Sequence, residues 1–108
     1  MDRIIYRQED KIGYLTLNRP DKYNAFDKQM LHDVEDFIAA RMYDTSVRVI
    51  ILDGGNAKGV CAGLDMQTPG PEIFNMAPAD AYNAQARLSR TMNGLRKITP
   101  PVICLVTR

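Results

Sequence analysis

Apolar residues along this chain alternate between strand-like and helix-like spacing. The apolar-rich runs 4–7 and 12–17 flank a polar turn and predict an antiparallel hairpin. Pro20 ends the second run, and Asp27 is the predicted N-cap of a helix. The following apolar positions recur every three or four residues, which predicts a helix that buries one face: Met30, Leu31, Val34, Phe37 and Ile38.

A third strand and a second helix are predicted after a polar break at residues 43–46. The run 47–52 is apolar at consecutive positions over residues 49–52, which is typical of a parallel strand covered on both faces. A helix is predicted over about residues 79–97, ended by the proline pair before a strand at 102–106. Its apolar face contains Ala81, Ala84, Leu88, Met92 and Leu95. This order of elements indicates an α/β protein.

Composition places the chain among ordinary soluble proteins and excludes several function classes. It has 108 residues, which predicts one domain, with 14 Lys plus Arg against 13 Asp plus Glu. We expect no nucleic-acid partner, because no basic stripe interleaved with aromatic residues is present. No run approaches the length of a membrane span and the N-terminus lacks a signal-peptide core, so we expect no membrane association and a cytoplasmic protein.

The cysteines and the histidine do not form a recognisable metal or nucleophile motif. Cys61 and Cys104 lack the C-x-x-C spacing of zinc and redox sites. His32 lies at helical spacing from Lys28 and Glu35, which indicates a solvent-exposed helix face. We therefore expect neither a metal site nor Cys–His catalysis.

The segment 59–65, Gly-Val-Cys-Ala-Gly-Leu-Asp, is a small-residue loop that follows the predicted third strand. Its small side chains leave the backbone accessible, so the N–H of Leu64 is a candidate donor to a carbonyl oxygen on which negative charge develops. Plain turn chemistry is the alternative. A phosphate-binding loop is excluded because Lys58 precedes Gly59 rather than following it, and the dinucleotide fingerprint spacing does not occur.

Two motifs together resemble the enoyl-CoA hydratase/isomerase (crotonase) family. Residues 18–25 contain N-R-P-x-x-x-N-A, which opens the first helix in that family, and residues 59–65 resemble its F-C-A-G-x-D or F-S-A-G-x-D loop, with Val60 departing from the usual phenylalanine. The resemblance covers residues 4–106 and implies a crotonase-type (ClpP/crotonase) fold of ββα units. Relatives are more than twice as long, so residues 1–108 are expected to be the N-terminal portion of one such domain, with the C-terminal remainder absent.

The resemblance also implies a set of site residues. Family members bind an acyl-CoA thioester and stabilise an oxyanion with two backbone N–H groups, the first of which corresponds to the backbone N–H of Leu64. Asp65 would order the loop rather than act as a base, and Lys22 is equally well an ordinary surface lysine. The acyl-CoA contacts carried over by resemblance are Lys22, Tyr23, Ala25, Ala62, Gly63, Asp65 and Met66.

The function implied is reversible hydration of a 2-enoyl-CoA, with isomerisation or another crotonase-family reaction as the alternative. The general acid and base of hydratases would lie beyond Arg108, so the 108-residue chain alone is expected to be inactive. No cofactor is expected apart from the coenzyme A of the substrate, and a homo-oligomer is expected because relatives form trimers or hexamers. The alternatives of a different class are a non-catalytic truncated binding or interaction module and a nonfunctional remnant.

Overall fold

Four strands and two main helices make up the part of the chain that this computed structural model describes, residues 3–57 and 78–106. In chain order they are β1 (Ile4–Glu9), β2 (Ile12–Leu17), a short 3-10 helix (Pro20–Lys22), α1 (Lys28–Arg41), β3 (Val49–Asp53), α2 (Pro78–Gly94) and β4 (Val102–Cys104).

The strands form one sheet in the order β1-β2-β3-β4. β1 and β2 pair antiparallel, while β3 is parallel to both β2 and β4. The predicted hairpin and the parallel third strand are therefore confirmed. β1 extends to Glu9, beyond the predicted end at residue 7, because Glu9 pairs with Ile12 across a turn in which Asp10 takes a φ of +54°.

Helix α1 covers one face of the sheet as its apolar spacing predicts. The Asp27 carboxylate accepts a hydrogen bond of 2.8 Å from the backbone N–H of Met30, which is the predicted N-cap. All five predicted apolar positions of α1 are buried. They pack in one core with residues from the sheet and the connections, among which Leu15, Phe26 and Ile50 are fully buried.

Helix α2 ends at Gly94, before the predicted end at residue 97. The next three backbone N–H groups bond to carbonyls three residues back, so a tighter turn replaces the last predicted helical turn. A Cβ at Gly94 would lie 3.3 Å from Ile38, which shows how closely this turn approaches α1. Leu88 and Met92 pack against the core and Leu95 is buried, as predicted, whereas the side chains of Ala81 and Ala84 lie outside the described set.

The two helices are joined by an ion pair that the sequence does not reveal. Arg87 donates to Glu35 through Nε at 2.9 Å and Nη2 at 2.6 Å, and the hydroxyl of Thr91 donates to the same carboxylate at 3.2 Å. The Arg87 hydrogen bond, opposed by partial burial, lowers the pKa of Glu35 below its ordinary value. Glu35 therefore belongs to a helix contact and not simply to a solvent-exposed face. His32 is exposed as predicted, with Nε2 3.3 Å from Asp36.

The final strand presents apolar side chains to solvent. β4 ends at Cys104, short of the predicted residue 106, although the N–H of Leu105 still bonds to the carbonyl of Leu52 at 2.8 Å. Ile103, Leu105 and Val106 are 59%, 52% and 67% exposed. β4 also lies at the edge of the described sheet, where unpaired backbone groups accept further pairing.

We expect the 108-residue chain to associate with itself through β4, because an edge strand and exposed apolar side chains favour pairing. Sedimentation velocity over a range of concentrations should show concentration-dependent oligomers. Ile103→Lys should shift the population toward monomer. Ile5→Lys changes a single exposed apolar side chain on the opposite edge strand, where no cluster like that of residues 103–106 is exposed, and should have a smaller effect. A wild-type chain that stays monomeric at every concentration would contradict the expectation.

Candidate functional site

The candidate site is built around the turn at residues 19–25, which carries three of the predicted acyl-CoA contacts. The backbone N–H of Arg19 donates to Oδ1 of Asn24 at 2.7 Å, and the N–H of Asn24 donates back to the carbonyl of Arg19 at 2.8 Å. Pro20 begins the 3-10 helix inside this closed turn, where its missing N–H costs nothing. Arg19 and Asn24 therefore close the turn by two reciprocal hydrogen bonds.

Two consecutive residues of the turn have left-handed backbone conformations. Tyr23 has a φ of +54° and Asn24 a φ of +57°. Asparagine tolerates this region through local hydrogen bonds of its side chain, whereas a tyrosine is held there at a cost. The N–H of Ala25 bonds to the carbonyl of Lys22 at 2.9 Å, so the reversal is completed by backbone hydrogen bonding.

Asn24 also connects this turn to the end of β3. Its Nδ2 donates to the carbonyl of Gly54 at 2.9 Å, and the whole residue is fully buried. The Gly54 carbonyl accepts a second bond from the N–H of Ala57 at 3.2 Å, while Oδ1 of Asp53 accepts from the N–H of Gly55 at 2.8 Å. The turn thus lies against the carboxyl end of a parallel strand, just before the segment that contains the predicted oxyanion loop.

The side chain of Arg19 connects the turn to the start of α1. It is 7% exposed, with Nη1 donating to the carbonyl of Ala25 at 2.9 Å and Nη2 3.8 Å from the Asp27 carboxylate. Arg3 from the start of the chain adds a contact of 2.9 Å to the same carboxylate. Burial opposes the charged form of Asp27, but the N–H of Met30 and the two arginines lower its pKa overall.

The structure separates the predicted site residues into two groups. Lys22 and Tyr23 are exposed, Tyr23 by 54%, so both are accessible to a ligand, while Ala25 is half-buried. The remaining predicted contacts and the oxyanion donor lie outside the described residues: Ala62, Gly63, Leu64, Asp65 and Met66.

Sequence reasoning missed Arg19 and Asn24, the residues that give this site its shape. The available signal was that both are defined positions of the N-R-P-x-x-x-N-A motif, together with the tolerance of asparagine for turns. Among residues 3–57 and 78–106, no group of three or more His, Cys, Asp or Glu side chains is arranged to hold a metal ion. No helix in those ranges is long and apolar enough to cross a membrane.

The lowered pKa of Asp27 predicts a stability that declines in acid. Because the folded-state pKa lies below the ordinary value of 3.8, the contribution is complete above that pH and is lost as the pH falls through the folded-state pKa. Asp27→Asn keeps a capping oxygen but removes the charge that pairs with Arg3 and Arg19. It should reduce the free energy of unfolding by about 1 kcal/mol near pH 7.

Urea unfolding at low protein concentration, at several pH values, measures this difference. The difference in free energy of unfolding between wild type and Asp27→Asn should shrink as the pH falls below 3.8. Glu35, whose pKa is also lowered, is present in both proteins, so its contribution cancels in this difference. A difference that does not change with pH would contradict the assignment.

Known proteins resemble both the sequence and the fold. The family model for enoyl-CoA hydratase/isomerase matches residues 7–107. An (E)-benzylidenesuccinyl-CoA hydratase of Thauera aromatica is 35% identical over 95 residues, covering 88% of this chain and 35% of the relative. A 1,2-epoxyphenylacetyl-CoA isomerase of Escherichia coli is 28% identical over 106 residues, covering 98% of this chain and 40% of the relative.

A solved structure from Legionella pneumophila, assigned to the enoyl-CoA hydratase/isomerase (crotonase) group, superposes with a TM-score of 0.82 and 32% identity. The match covers 99% of this chain and 40% of that one. This chain thus spans between about a third and two fifths of the length of these relatives. The described elements therefore have the crotonase fold, and the chain belongs to the enoyl-CoA hydratase/isomerase family.

Proposed function

We propose that this chain supplies the acyl-CoA-binding part of an active site for reversible hydration of a 2-enoyl-CoA thioester. The observation that carries the proposal is the hydrogen bond from Asn24 to the carbonyl of Gly54. It holds the turn with Lys22 and Tyr23 against the carboxyl end of β3, and the carboxyl ends of parallel strands are where ligands bind in open α/β sheets. Family membership supports an acyl-CoA as that ligand.

The proposed roles in the turn follow from exposure and chemistry. The ammonium group of Lys22 would meet the phosphates of coenzyme A, and Tyr23 would border the adenine. Ala25 is half-buried and would contribute the wall of the same pocket. Arg19 is turned inward to the Ala25 carbonyl, so its charge serves the turn itself.

The proposed chemistry is placed in the loop that follows β3. When water adds to the β-carbon of the enoyl group, negative charge develops on the thioester oxygen, and the N–H of Leu64 would donate to it. Ala62, Gly63 and Met66 would contact the pantetheine arm through their backbone, and Asp65 would order the loop. The carboxylates that act as general acid and base in hydratases are not assigned to any residue of this chain.

Isomerisation of an acyl-CoA is the second candidate, because it uses the same oxyanion stabilisation and the Escherichia coli relative is an isomerase by name. The proposal includes no cofactor apart from the coenzyme A of the substrate. A homo-oligomer, which rests on the family resemblance, and a cytoplasmic location are also part of the proposal.

The activity test compares the 108-residue chain, verified by intact mass, with any longer product of the same reading frame. We expect the 108-residue chain to bind crotonyl-CoA without appreciable hydration, because general acid–base groups are worth ~10²–10⁴ in rate. A longer product that contains such groups should hydrate crotonyl-CoA, and 3-butenoyl-CoA serves as the isomerase substrate. Sustained hydration by the 108-residue chain would refute its predicted inactivity, and binding without turnover in both forms would favour a non-catalytic module.

The oxyanion assignment predicts that the backbone of residue 64 matters more than its side chain. In a form that shows turnover, Leu64→Ala keeps the N–H donor and should change mainly packing. Leu64→Pro removes the donor and should cost about 3 kcal/mol of transition-state stabilisation, measured as the loss in kcat/KM. Thermal unfolding and acyl-CoA affinity are measured beside the rate, because proline also restricts the loop. Near-normal turnover by a folded Leu64→Pro variant would show that the donor lies elsewhere.

A further inference from the structure

Asn24 has a polar side chain at a buried position, where apolar side chains are more common. It is fully buried, and a buried amide is costly unless it is hydrogen-bonded. Both ends of this amide are used: Oδ1 accepts from the N–H of Arg19 and Nδ2 donates to the carbonyl of Gly54. The side chain therefore joins two backbone segments that are far apart in the sequence.

A local turn role does not account for both bonds. The positive φ of Asn24 and the bond from Arg19 are what an asparagine supplies to close its own turn. The bond to Gly54 is not needed for that closure, since the backbone bonds between Asn24 and Arg19 and between Ala25 and Lys22 already complete the reversal. The Nδ2 donor instead fixes where the turn lies relative to the end of β3.

We infer that Asn24 is a positioning residue that holds the turn at residues 19–25 at a fixed separation from the carboxyl end of β3. This inference rests on the proposed function, in which the turn meets the nucleotide end of an acyl-CoA and the loop after β3 meets its thioester end. A ligand that contacts both places gains affinity from their fixed separation, much as two linked binding modules do. A ligand that contacts only the loop after β3 gains no affinity from that separation.

The test uses Asn24→Asp in the 108-residue chain. Aspartate keeps the size, the Oδ1 acceptor for Arg19 and a tolerance for positive φ, but it removes the Nδ2 donor and places a carboxylate oxygen against the Gly54 carbonyl. The control is Asn56→Asp, which makes the same chemical change at an exposed position of the turn after β3. Calorimetry measures binding of crotonyl-CoA and of crotonyl-pantetheine, which lacks the nucleotide.

The expected result is a selective loss. Asn24→Asp should weaken crotonyl-CoA binding by about tenfold, because the turn is no longer held at the separation that this ligand spans, and crotonyl-pantetheine binding by less than about threefold. Asn56→Asp should change the affinity for either ligand by less than about threefold. Equal weakening for both ligands, or no weakening for either, would overturn the inference.

A second variant guards against a folding defect. Asn24→Gly permits the positive φ while removing both side-chain bonds, and it should show the same selective loss. If neither Asn24 variant folds by circular dichroism and urea unfolding, the residue is structural and the inference is overturned. If the wild type binds no crotonyl-CoA, the proposed function fails together with the inference; if the wild type binds but the folded Asn24 variants lose no selectivity, only the inference fails.

Discussion

The candidate site depends on the hydrogen bonds of one fully buried side-chain amide, that of Asn24. Its oxygen accepts from the N–H of Arg19 at 2.7 Å, and its Nδ2 donates to the carbonyl of Gly54 at 2.9 Å. The two bonds connect the turn at residues 19–25 to the end of β3, which comes after α1 in the sequence. Without a donor at this place the Gly54 carbonyl would lose one of its partners in a site closed to water, a loss that costs more than a hydrogen bond at the surface contributes. The turn and the end of β3 are therefore one structural unit, although the sequence separates them.

Two charged contacts fix helix α1. Asp27 begins α1 and also receives Arg3 and Arg19, so the start of the helix and the turn share one carboxylate. Further along α1, the bidentate contact between Glu35 and Arg87 holds α2 against it. That second contact is partly exposed and is worth less than the buried network, so the core beneath the helices contributes most to their packing.

Most of the architecture could be predicted because it depends on local patterns. The apolar spacing of α1, its N-cap Asp27 and the hairpin of β1 and β2 are each encoded within a short window of sequence. The end of α2 could not be predicted this way, because Gly94 turns where it meets Ile38 on another helix. The ion pair of Glu35 could not be predicted for the same reason, because its partner Arg87 belongs to a helix that is distant in the sequence.

The candidate site shows the same division between local and distant information. The N-R-P-x-x-x-N-A motif contains three of the predicted acyl-CoA contacts, but it could not show that Arg19 and Asn24 point inward. The structure explains the motif physically: its named residues at 19 and 24 are buried and hydrogen-bonded, whereas the residues between them at 21–23 are exposed.

This pattern separates the part of the turn that fixes its shape from the part that faces solvent. Asp21, Lys22 and Tyr23 can change without removing a buried hydrogen bond of the turn, because the carbonyl of Lys22 and not its side chain takes part in the closure. Replacing Asn24 by a residue without a side-chain acceptor would leave the buried N–H of Arg19 without that partner, and replacing Arg19 would remove a donor from the carbonyl of Ala25. Substitutions at the exposed positions 21–23 can therefore occur while the hydrogen bonds that set the shape of the turn are kept.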